Sequence, residues 1–339
     1  MYDVEDGIFT QRVASCAPEV GGNRAYLRSL IRRKHYLYEK YNGRGWALPD
    51  FDQFTHVIIH YPALLEFLIR RADTRARILF DTHNNEREYF ESIAAQTPNP
   101  VKRRLIRHQS VVSERIIAKA AHALTATISV SESDRDWVAQ LCGQDVKHFV
   151  VPNNLFQYEP TTWTGRKTIL YVGSLNVNMN IQALEWFTSK VWPRLKELVP
   201  AVAFVVAGRN PNSSLVKNLQ QLGITVVANA PTLTALYADA VCSLIPAASG
   251  SGGKIKVGEA LAHGVPVITT THGLVGQPEA IKKCCIVSDN PDEWVEAIRG
   301  QLDREMRSAP AWDAQVKKAL DETYFGSSVQ QVAEFIDAG

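Results

Sequence analysis

The sequence predicts an α/β protein with two domains, each built on a parallel sheet, and with a cleft between them. Its 339 residues exceed the roughly 150 residues of a typical domain. Short β-branched runs alternate with helical patterns of about 10 to 15 residues along the chain, which is typical of parallel sheets covered by helices. A polar, turn-rich segment at 151–168 interrupts this alternation before a new strand begins, so we expect the interdomain linker there.

The first half contains four apolar runs that predict strands. They lie at 55–62, 76–83, 124–131 and 148–153. Helical patterns lie around them, at 23–34, 62–72, 84–93, 101–121 and 131–142. Residues 35–54 are not strand-like, so we expect a short first domain, covering residues 1–152.

The second half repeats the alternation and predicts a second domain at 153–324. Its strands are expected at 167–175, 202–208, 223–229, 240–246 and 265–270. Its helices are expected at 179–198, 212–222, 232–238, 254–263, 291–303 and 312–323. The segment 325–339 predicts one more helix, which we expect to pack on the first domain.

The composition argues against several classes of protein. A net charge of +2 gives no reason to expect nucleic-acid binding. The five cysteines are odd in number and include no C-x-x-C pair, which argues against a disulfide framework or a zinc site and favours a reducing compartment. No signal peptide is evident, and no uncharged apolar run approaches the roughly 18 residues of a membrane span. We therefore expect a cytoplasmic protein.

A glycine-rich segment, "SGSGGKIK" at 249–256, precedes a predicted helix and suggests a phosphate-binding loop. A Walker A loop requires G-x-x-x-x-G-K-[ST]. Gly253 and Lys254 fit this pattern, but Ala248 and Ile255 stand where glycine and Ser/Thr are required. The segment is therefore not predicted to be an ATPase loop.

The same segment has the properties of another kind of anion site. Backbone N–H groups of glycines can approach a ligand closely, and the start of a helix favours negative charge. Lys254 and Lys256 place positive charge where the helix dipole disfavours it, which suggests that an anion compensates them. Two turns into the helix, Glu259 is suited to accept hydrogen bonds from a ribose diol. The alternative is a glycine turn with solvated side chains.

Several motifs occur together in the second half. They are "ILYVGSLNVNMNIQALEWF", "FVVAGRNP", "VVANAPTLTALYADAVCSLIP" and "GSGGKIKVGEALAHGVPVITTTHGLVG". Their order resembles that of the retaining glycosyltransferases of family four (glycosyl transferases group 1), which have the GT-B fold of two Rossmann-like domains facing a central cleft. The first half resembles the family more weakly, through "PEVGGNRAYLRSL", "THVIIHYP", "FDTHNNE" and "TATISVSESDRDWV".

The resemblance implies a site for a UDP- or GDP-sugar donor in the second domain. Glu259 would hold the ribose, Lys254 and Lys256 would face the diphosphate, and Arg209 would lie near the phosphates. The other implied donor-binding residues contribute mainly backbone groups: Gly173, Ser174, Asn229, Ala230, Ser251, Gly252 and Gly253.

In the first domain, the resemblance implies a glycine loop near the donor phosphate and one catalytic side chain. Gly21 and Gly22 form the loop, and His83, at the end of a strand, would lie beside the transferred sugar. Glu86 and Glu114 are possible acceptor-side carboxylates, although charged helix faces are the simpler interpretation of both.

The sequence departs from the family pattern at two places. Many members carry a glutamate eight residues before the one at Glu259, whereas this chain has Ser251, which leaves the sugar undetermined. Many also carry an Arg…Lys pair after the "GS" strand end, whereas "SLNVNMN" has no cation. A subset of the family combines the form GSxxxxxN with GxGxxxK, as this chain does.

The resemblance implies transfer of a sugar to a hydroxyl with retention and without a metal or other cofactor. A glycan, a lipid-linked molecule or a small molecule would be the acceptor, in polysaccharide or lipid-linked glycan assembly. The basic stretch 101–110 suggests peripheral contact with a membrane, with a solvated helix face as the alternative. A non-catalytic nucleotide-sugar-binding protein or transferase subunit, and a nucleotide-sugar epimerase, are alternative functions.

Overall fold

A computed structural model describes most of the chain. The described residues are 2–5, 8–11, 28–29, 31–32, 34–41, 50–69, 74–152, 156–248 and 254–338. The chain divides into two compact units, one formed by Met1–Phe149 with Phe335–Gly339 and the other by Val150–Glu334.

The first unit contains a four-stranded sheet and a separate antiparallel hairpin. Its strands are β1 Tyr2–Glu5, β2 Ile8–Gln11, β3 His56–His60, β4 Arg77–Thr82, β5 Ala126–Ser129 and β6 Lys147–Val150. Its helices are α1 Tyr36–Tyr41, α2 Pro62–Leu68, α3 Glu86–Ala95, α4 Pro100–Ala120 and α5 Glu132–Cys142. The order of the sheet is β3-β4-β5-β6, and β3, β4 and β5 pair in parallel. The hairpin joins β1 and β2.

Apolar side chains of β4 and α4 form the centre of the first core. Ile78, Phe80, Ile116 and Ile117 are at most 1% exposed. Burial of an apolar side chain contributes about 1.5–3 kcal/mol, so this cluster holds β4 and the residues that follow it in place.

The second unit contains a six-stranded sheet of order β12-β11-β10-β7-β8-β9. Its strands are β7 Thr168–Val172, β8 Ala203–Gly208, β9 Thr225–Ala228, β10 Ala240–Ile245, β11 Val267–Thr269 and β12 Cys285–Val287. Every residue of β7, β10 and β11 is buried, as expected for a parallel sheet covered on both faces.

Helices surround this sheet in the order of the chain. They are α6 Asn178–Lys190, α7 Trp192–Leu198, α8 Ser213–Gln221, α9 Thr234–Asp239, α10 Ile255–Ala262, α11 Glu279–Lys282, α12 Pro291–Leu302, α13 Pro310–Tyr324 and α14 Ser327–Asp337. Near the end of α14, the Phe335 ring lies 5.3 Å from that of Phe149, within the first unit.

The structure differs from the predicted elements at three places. The predicted helix 179–198 is interrupted at Val191, because Pro193 has no N–H to donate to the preceding turn and begins a new helix instead. Helix α1 lies in a segment for which the pattern predicted no element, and strand β12 was also missed because it is only three residues long.

Within the part of the chain that the structure describes, none of the helices is both long and apolar enough to cross a membrane.

Candidate functional site

The second sheet reverses its direction of growth between β7 and β10. From β7 the chain adds β8 and β9 on one side, and from β10 it adds β11 and β12 on the other. Ligands of open parallel sheets bind beyond the carboxyl ends of the strands at such a reversal. Helix α10 begins shortly after β10 ends, so its first turn lies on the connection that leaves this point.

Helix α10 is held rigidly against its own unit. Val257, Ala260 and Leu261 are fully buried. A Cβ on Gly258 would come within 2.7 Å of the Phe156 ring, so only glycine allows this close approach. The helix ends before Gly264, whose φ of 67° suits the left-handed position that follows many helices. The direction of its N-terminus is therefore fixed by packing.

Lys256, in the first turn of α10, reaches the carboxyl end of β7. Its Nζ donates to Oδ1 of Asn180 over 3.1 Å and to the hydroxyl of Tyr171 over 3.4 Å. The Nδ2 group of Asn180 donates to the carbonyl of Ser174 over 3.0 Å. One amide therefore connects the lysine to the loop that contains Gly173 and Ser174.

The two lysines of this turn carry an uncompensated electrostatic strain. Burial lowers the pKa of Lys254 to about 8. Burial, with repulsion from Lys254, lowers the pKa of Lys256 to about 8. The oxygens that accept from Lys256 are neutral, and the positive end of the helix dipole adds to the repulsion. A polyanion at this position would relieve all three effects.

Glu259 lies one turn after Lys256 on the same helix. Its Oε2 accepts from the hydroxyl of Tyr237 over 3.2 Å. Burial raises the pKa of Glu259. Tyr237 is itself buried and stacks on His263, with ring centroids 4.6 Å apart. The carboxylate is therefore oriented, while its side chain remains partly exposed.

Backbone hydrogen bonds tie the carboxyl ends of β7, β8 and β9 together. Leu175 N donates to the carbonyl of Arg209 over 2.9 Å, and Asn229 N donates to the carbonyl of Gly208 over 2.9 Å. A side chain on Gly208 would collide with the carbonyl of Gly173. Arg209, Asn229 and the partly buried Ala230 follow these strands directly, and the side chains of the first two are exposed.

The structure thus places the described second-unit residues at one edge of the sheet or on the adjoining helix. They are Gly173, Ser174, Arg209, Asn229, Ala230, Lys254, Lys256 and Glu259. The predicted residues Gly21, Gly22, Ser251, Gly252 and Gly253 lie outside the described residues.

In the first unit, His83 follows the carboxyl end of β4. Its Nε2 lies 3.1 Å from Nδ1 of His60, the last residue of β3. His60 also lies 2.8 Å from Oδ2 of Asp81. The Tyr61 ring lies 5.2 Å from that of His83, and Tyr61 has an unusual φ of 71° for a residue with a side chain.

The two acceptor-side carboxylate candidates have different surroundings. Glu114 accepts both donors of the Arg87 guanidinium over 2.7 Å and the indole N–H of Trp137 over 3.1 Å, which is a structural arrangement. Glu86 accepts only a long bond of 3.4 Å from Ser113, and burial raises its pKa to about 7.

Sequence reasoning did not single out four side chains that contact the predicted site residues: Tyr171, Tyr237, His60 and Asp81. Tyr171 and Tyr237 look like ordinary core aromatics, and no local pattern distinguishes them. His60 and Asp81 become neighbours through strand pairing, because register places them opposite each other. Their signal is a polar residue at the end of each of two successive apolar strands.

Comparisons with known proteins agree with this architecture. Glycosyl transferases group 1 is the sequence family that matches residues 166–304. No curated protein matches the sequence. TarM, known from S. aureus, superposes with a TM-score of 0.62 at 14% identity, over 83% of this chain and 54% of TarM. This chain therefore spans about half the length of TarM.

Two further structures have the same fold. The Anabaena protein HepE in complex with UDP gives a TM-score of 0.61 at 14% identity, over 85% of this chain and 80% of HepE. The UDP-forming α,α-trehalose-phosphate synthase from Burkholderia vietnamiensis gives 0.56 at 12% identity, over 83% of this chain and 71% of the synthase. This chain has the fold of the GT-B glycosyltransferases, and its residues 166–304 carry a glycosyl transferases group 1 domain.

Proposed function

We propose that this protein transfers a sugar from a nucleoside diphosphate sugar to a hydroxyl acceptor, with retention of configuration. The observation that carries the proposal is the pair of lysines at the start of α10. Two partly buried ammonium groups, each with a lowered pKa, lie at the switch point of a parallel sheet. A diphosphate supplies the negative charge that this position lacks.

The diphosphate would interact with both lysines and with the first N–H groups of α10. During transfer the leaving diphosphate gains charge as its bond to the sugar breaks. Cations and N–H groups that are already in place stabilise this charge without reorganisation. The Asn180 amide fixes Lys256 for this role by bonding it to the β7 edge. Arg209 adds an exposed cation beyond β8.

The nucleoside would extend from the diphosphate toward Glu259 and the β9 edge. Glu259, oriented by Tyr237, would accept hydrogen bonds from the ribose hydroxyls. Backbone groups at Asn229 and Ala230 would meet the base. The structures of Anabaena HepE and S. aureus TarM hold UDP, which supports a uridine donor as the first choice to test.

A metal-independent reaction fits the use of the carboxylates in the Asp-x-Asp triplets at 50–52 and 134–136. Asp52 accepts from the hydroxyl of Thr74 and the N–H of Arg75. Asp134 accepts from Ser131 and from the N–H of Asn85. Both carboxylates are committed to local structure. The diphosphate cradle would supply the positive charge that a metal supplies elsewhere.

Retention would follow from attack on the face that the diphosphate leaves, with a phosphate oxygen of the leaving group accepting the proton of the acceptor. This course needs no protein nucleophile. His83 would bind the transferred sugar, and Glu86 is suited to face the acceptor because it is a weakly bonded carboxylate with a raised pKa.

A lipid-linked acceptor would bring the protein to the cytoplasmic face of a membrane. Helix α4 begins with exposed Lys102 and Arg104 beside Val101, which is 69% exposed. Arg107 lies one turn later and pairs with Glu91 over 3.0 Å. Basic residues with an exposed apolar side chain are suited to anionic lipid surfaces. Sedimentation with anionic and with neutral vesicles tests this contact, which predicts binding to the anionic vesicles alone.

A thermal-shift screen of nucleoside diphosphates and their sugars tests the donor. A ligand of the folded state stabilises it by RT ln(1 + [L]/Kd), or about 2.7 kcal/mol at a concentration of 100 Kd. We expect UDP or GDP, with one of its sugars, to raise the melting temperature above all others. Conversion of the bound sugar without an acceptor would instead favour an epimerase, and binding without any turnover would favour a non-catalytic protein.

A further inference from the structure

Three side chains that commonly bind metals converge at the carboxyl edge of the sheet of the first unit. His60 is the last residue of β3, Asp81 lies opposite it in β4, and His83 follows the end of β4. Parallel pairing therefore brings all three to the same edge. Among the described residues, they are the one group in which at least three such ligand atoms lie within 4.8 Å of one another.

The distances between the donor atoms match the size of a single coordination sphere. Nδ1 of His60 lies 2.8 Å from Oδ2 of Asp81 and 3.1 Å from Nε2 of His83. The third side of the triangle, from His83 to Asp81, measures 3.8 Å. An ion bound at about 2.0–2.2 Å holds adjacent ligands roughly 2.8–3.6 Å apart. Small side-chain shifts would therefore suffice.

The chemistry of the donors selects the kind of ion. Two imidazole nitrogens and one carboxylate oxygen suit zinc and neighbouring transition metals, whereas magnesium and calcium prefer oxygen ligands alone. The triangle also gathers lone pairs from three ligands, so it requires a shared cation or shared protons. The two histidine rings are nearly parallel, with centroids 5.0 Å apart, so one of them must turn for both lone pairs to point at an ion. Both rings are partly exposed, which allows this turn.

We propose that His60, Asp81 and His83 bind one zinc-class divalent cation, with water completing its coordination. A second consequence rests on the proposed function. The Nε2 atom of His83 cannot contact both a metal and the transferred sugar, so the bound ion would inhibit sugar transfer, and a chelator would restore it.

Direct binding tests the metal site without any assay of activity. The full chain, free of affinity tags and treated with chelator, is titrated with Zn²⁺ by calorimetry and with Co²⁺ by visible absorption. We expect about one equivalent to bind, with visible bands from cobalt in a site of low coordination number. Loss of one ligand, in His60→Gln or in Asp81→Asn, should weaken binding more than about tenfold. His122→Gln, which changes an exposed histidine elsewhere in the same unit, should bind as the wild type does.

Two results would overturn the metal site. One is a wild-type protein that binds no stoichiometric zinc, and the other is a pair of folded variants, His60→Gln and Asp81→Asn, that bind zinc as tightly as the wild type. Melting curves establish that the variants are folded. The inhibition is tested separately, as the ratio of donor turnover with zinc to turnover with chelator in each variant. Stoichiometric zinc that leaves this ratio at one would overturn the inhibition, and a protein without turnover would count against the proposed function alone.

Discussion

The ammonium of Lys256 lies 3.1 Å from Oδ1 of Asn180, although the two residues are 76 positions apart in the chain. Asn180 closes the GSxxxxxN pattern after β7, and Lys256 closes the GxGxxxK pattern before α10. Their contact gives a physical reason for the two patterns to occur together. An amide at the edge of β7 accepts from the lysine, so the cation is oriented without a carboxylate that would neutralise it.

The first prediction concerns this pair. Lys256→Met should weaken UDP binding by roughly 10- to 100-fold, because a hydrogen bond to a charged group contributes about 1.5–3 kcal/mol. Asn180→Ala should weaken it less, since the charge remains and only its orientation is lost. Calorimetric titration with UDP measures both effects. Lys317→Met, at an exposed ion pair on α13, is the matched control and should bind normally.

The second prediction concerns pH. The pKa values of Lys254 and Lys256 are lowered to about 8, so both lysines lose protons as pH rises through 8 in the free protein. UDP binds the protonated forms, so its affinity should be constant below this range and should fall between about pH 8 and 9 by up to tenfold for each lysine that must be reprotonated.

Lys256→Met isolates the contribution of the lysines from that of the uracil ring, which also titrates at high pH. The fall in affinity should be shallower in this variant than in the wild type. Equal slopes in the two proteins would show that Lys256 carries no charge to the diphosphate.

The third prediction concerns the ribose. Glu259→Ala should weaken UDP binding about tenfold or more through loss of charge-assisted hydrogen bonds. The wild type should lose a similar amount with 2′,3′-dideoxyuridine diphosphate, and the variant should lose little more with it, because the two changes remove the same interaction. Additive losses would place the ribose elsewhere. Glu296→Ala, on the exposed face of α12, serves as the control.

The fourth prediction concerns the stability of the first unit. The pKa of Glu86 is raised from its usual 4.5 to about 7 by burial. The folded state therefore binds more protons than the unfolded state between these values, and the contribution of Glu86 to stability is lost as pH rises from about 4.5 to 7. Glu86→Gln should melt at a higher temperature than the wild type at pH 8, with a smaller difference at pH 4.5.

Glu88→Gln, at an exposed position of the same helix, is the control for this comparison and should show no such pH-dependent gain. A Glu86→Gln variant that follows the wild type at every pH would mean that the carboxylate is hydrated in solution.

Much of the architecture follows from local patterns. Runs such as "ILYV" and "VCSLI" are apolar throughout because their strands are buried on both faces, which makes them easy to recognise. The glycine, lysine and glutamate of the α10 segment are close in sequence, so one turn of helix suffices to relate Lys256 to Glu259. The short strand β12 and helix α1 are too brief for a periodic pattern to develop.

The contacts between distant segments could not be predicted in this way. Asn180 meets Lys256, and Tyr237 meets Glu259, only after the sheet has ordered its strands. His60 and Asp81 become partners only through the register of β3 with β4. Strand order and register depend on the packing of the whole sheet, and a single sequence carries little information about either.

Release of nucleoside diphosphate from a panel of UDP- and GDP-sugars tests the central claim most directly. Rates are compared between the wild type, Lys254→Ala and the surface control Lys317→Ala. We expect one donor to be turned over, with Lys254→Ala slower by about 100-fold, since loss of one group that stabilises developing charge has an effect of this size. Binding of UDP without any release that depends on Lys254, for every donor in the panel, would contradict the assignment of this protein as a glycosyltransferase.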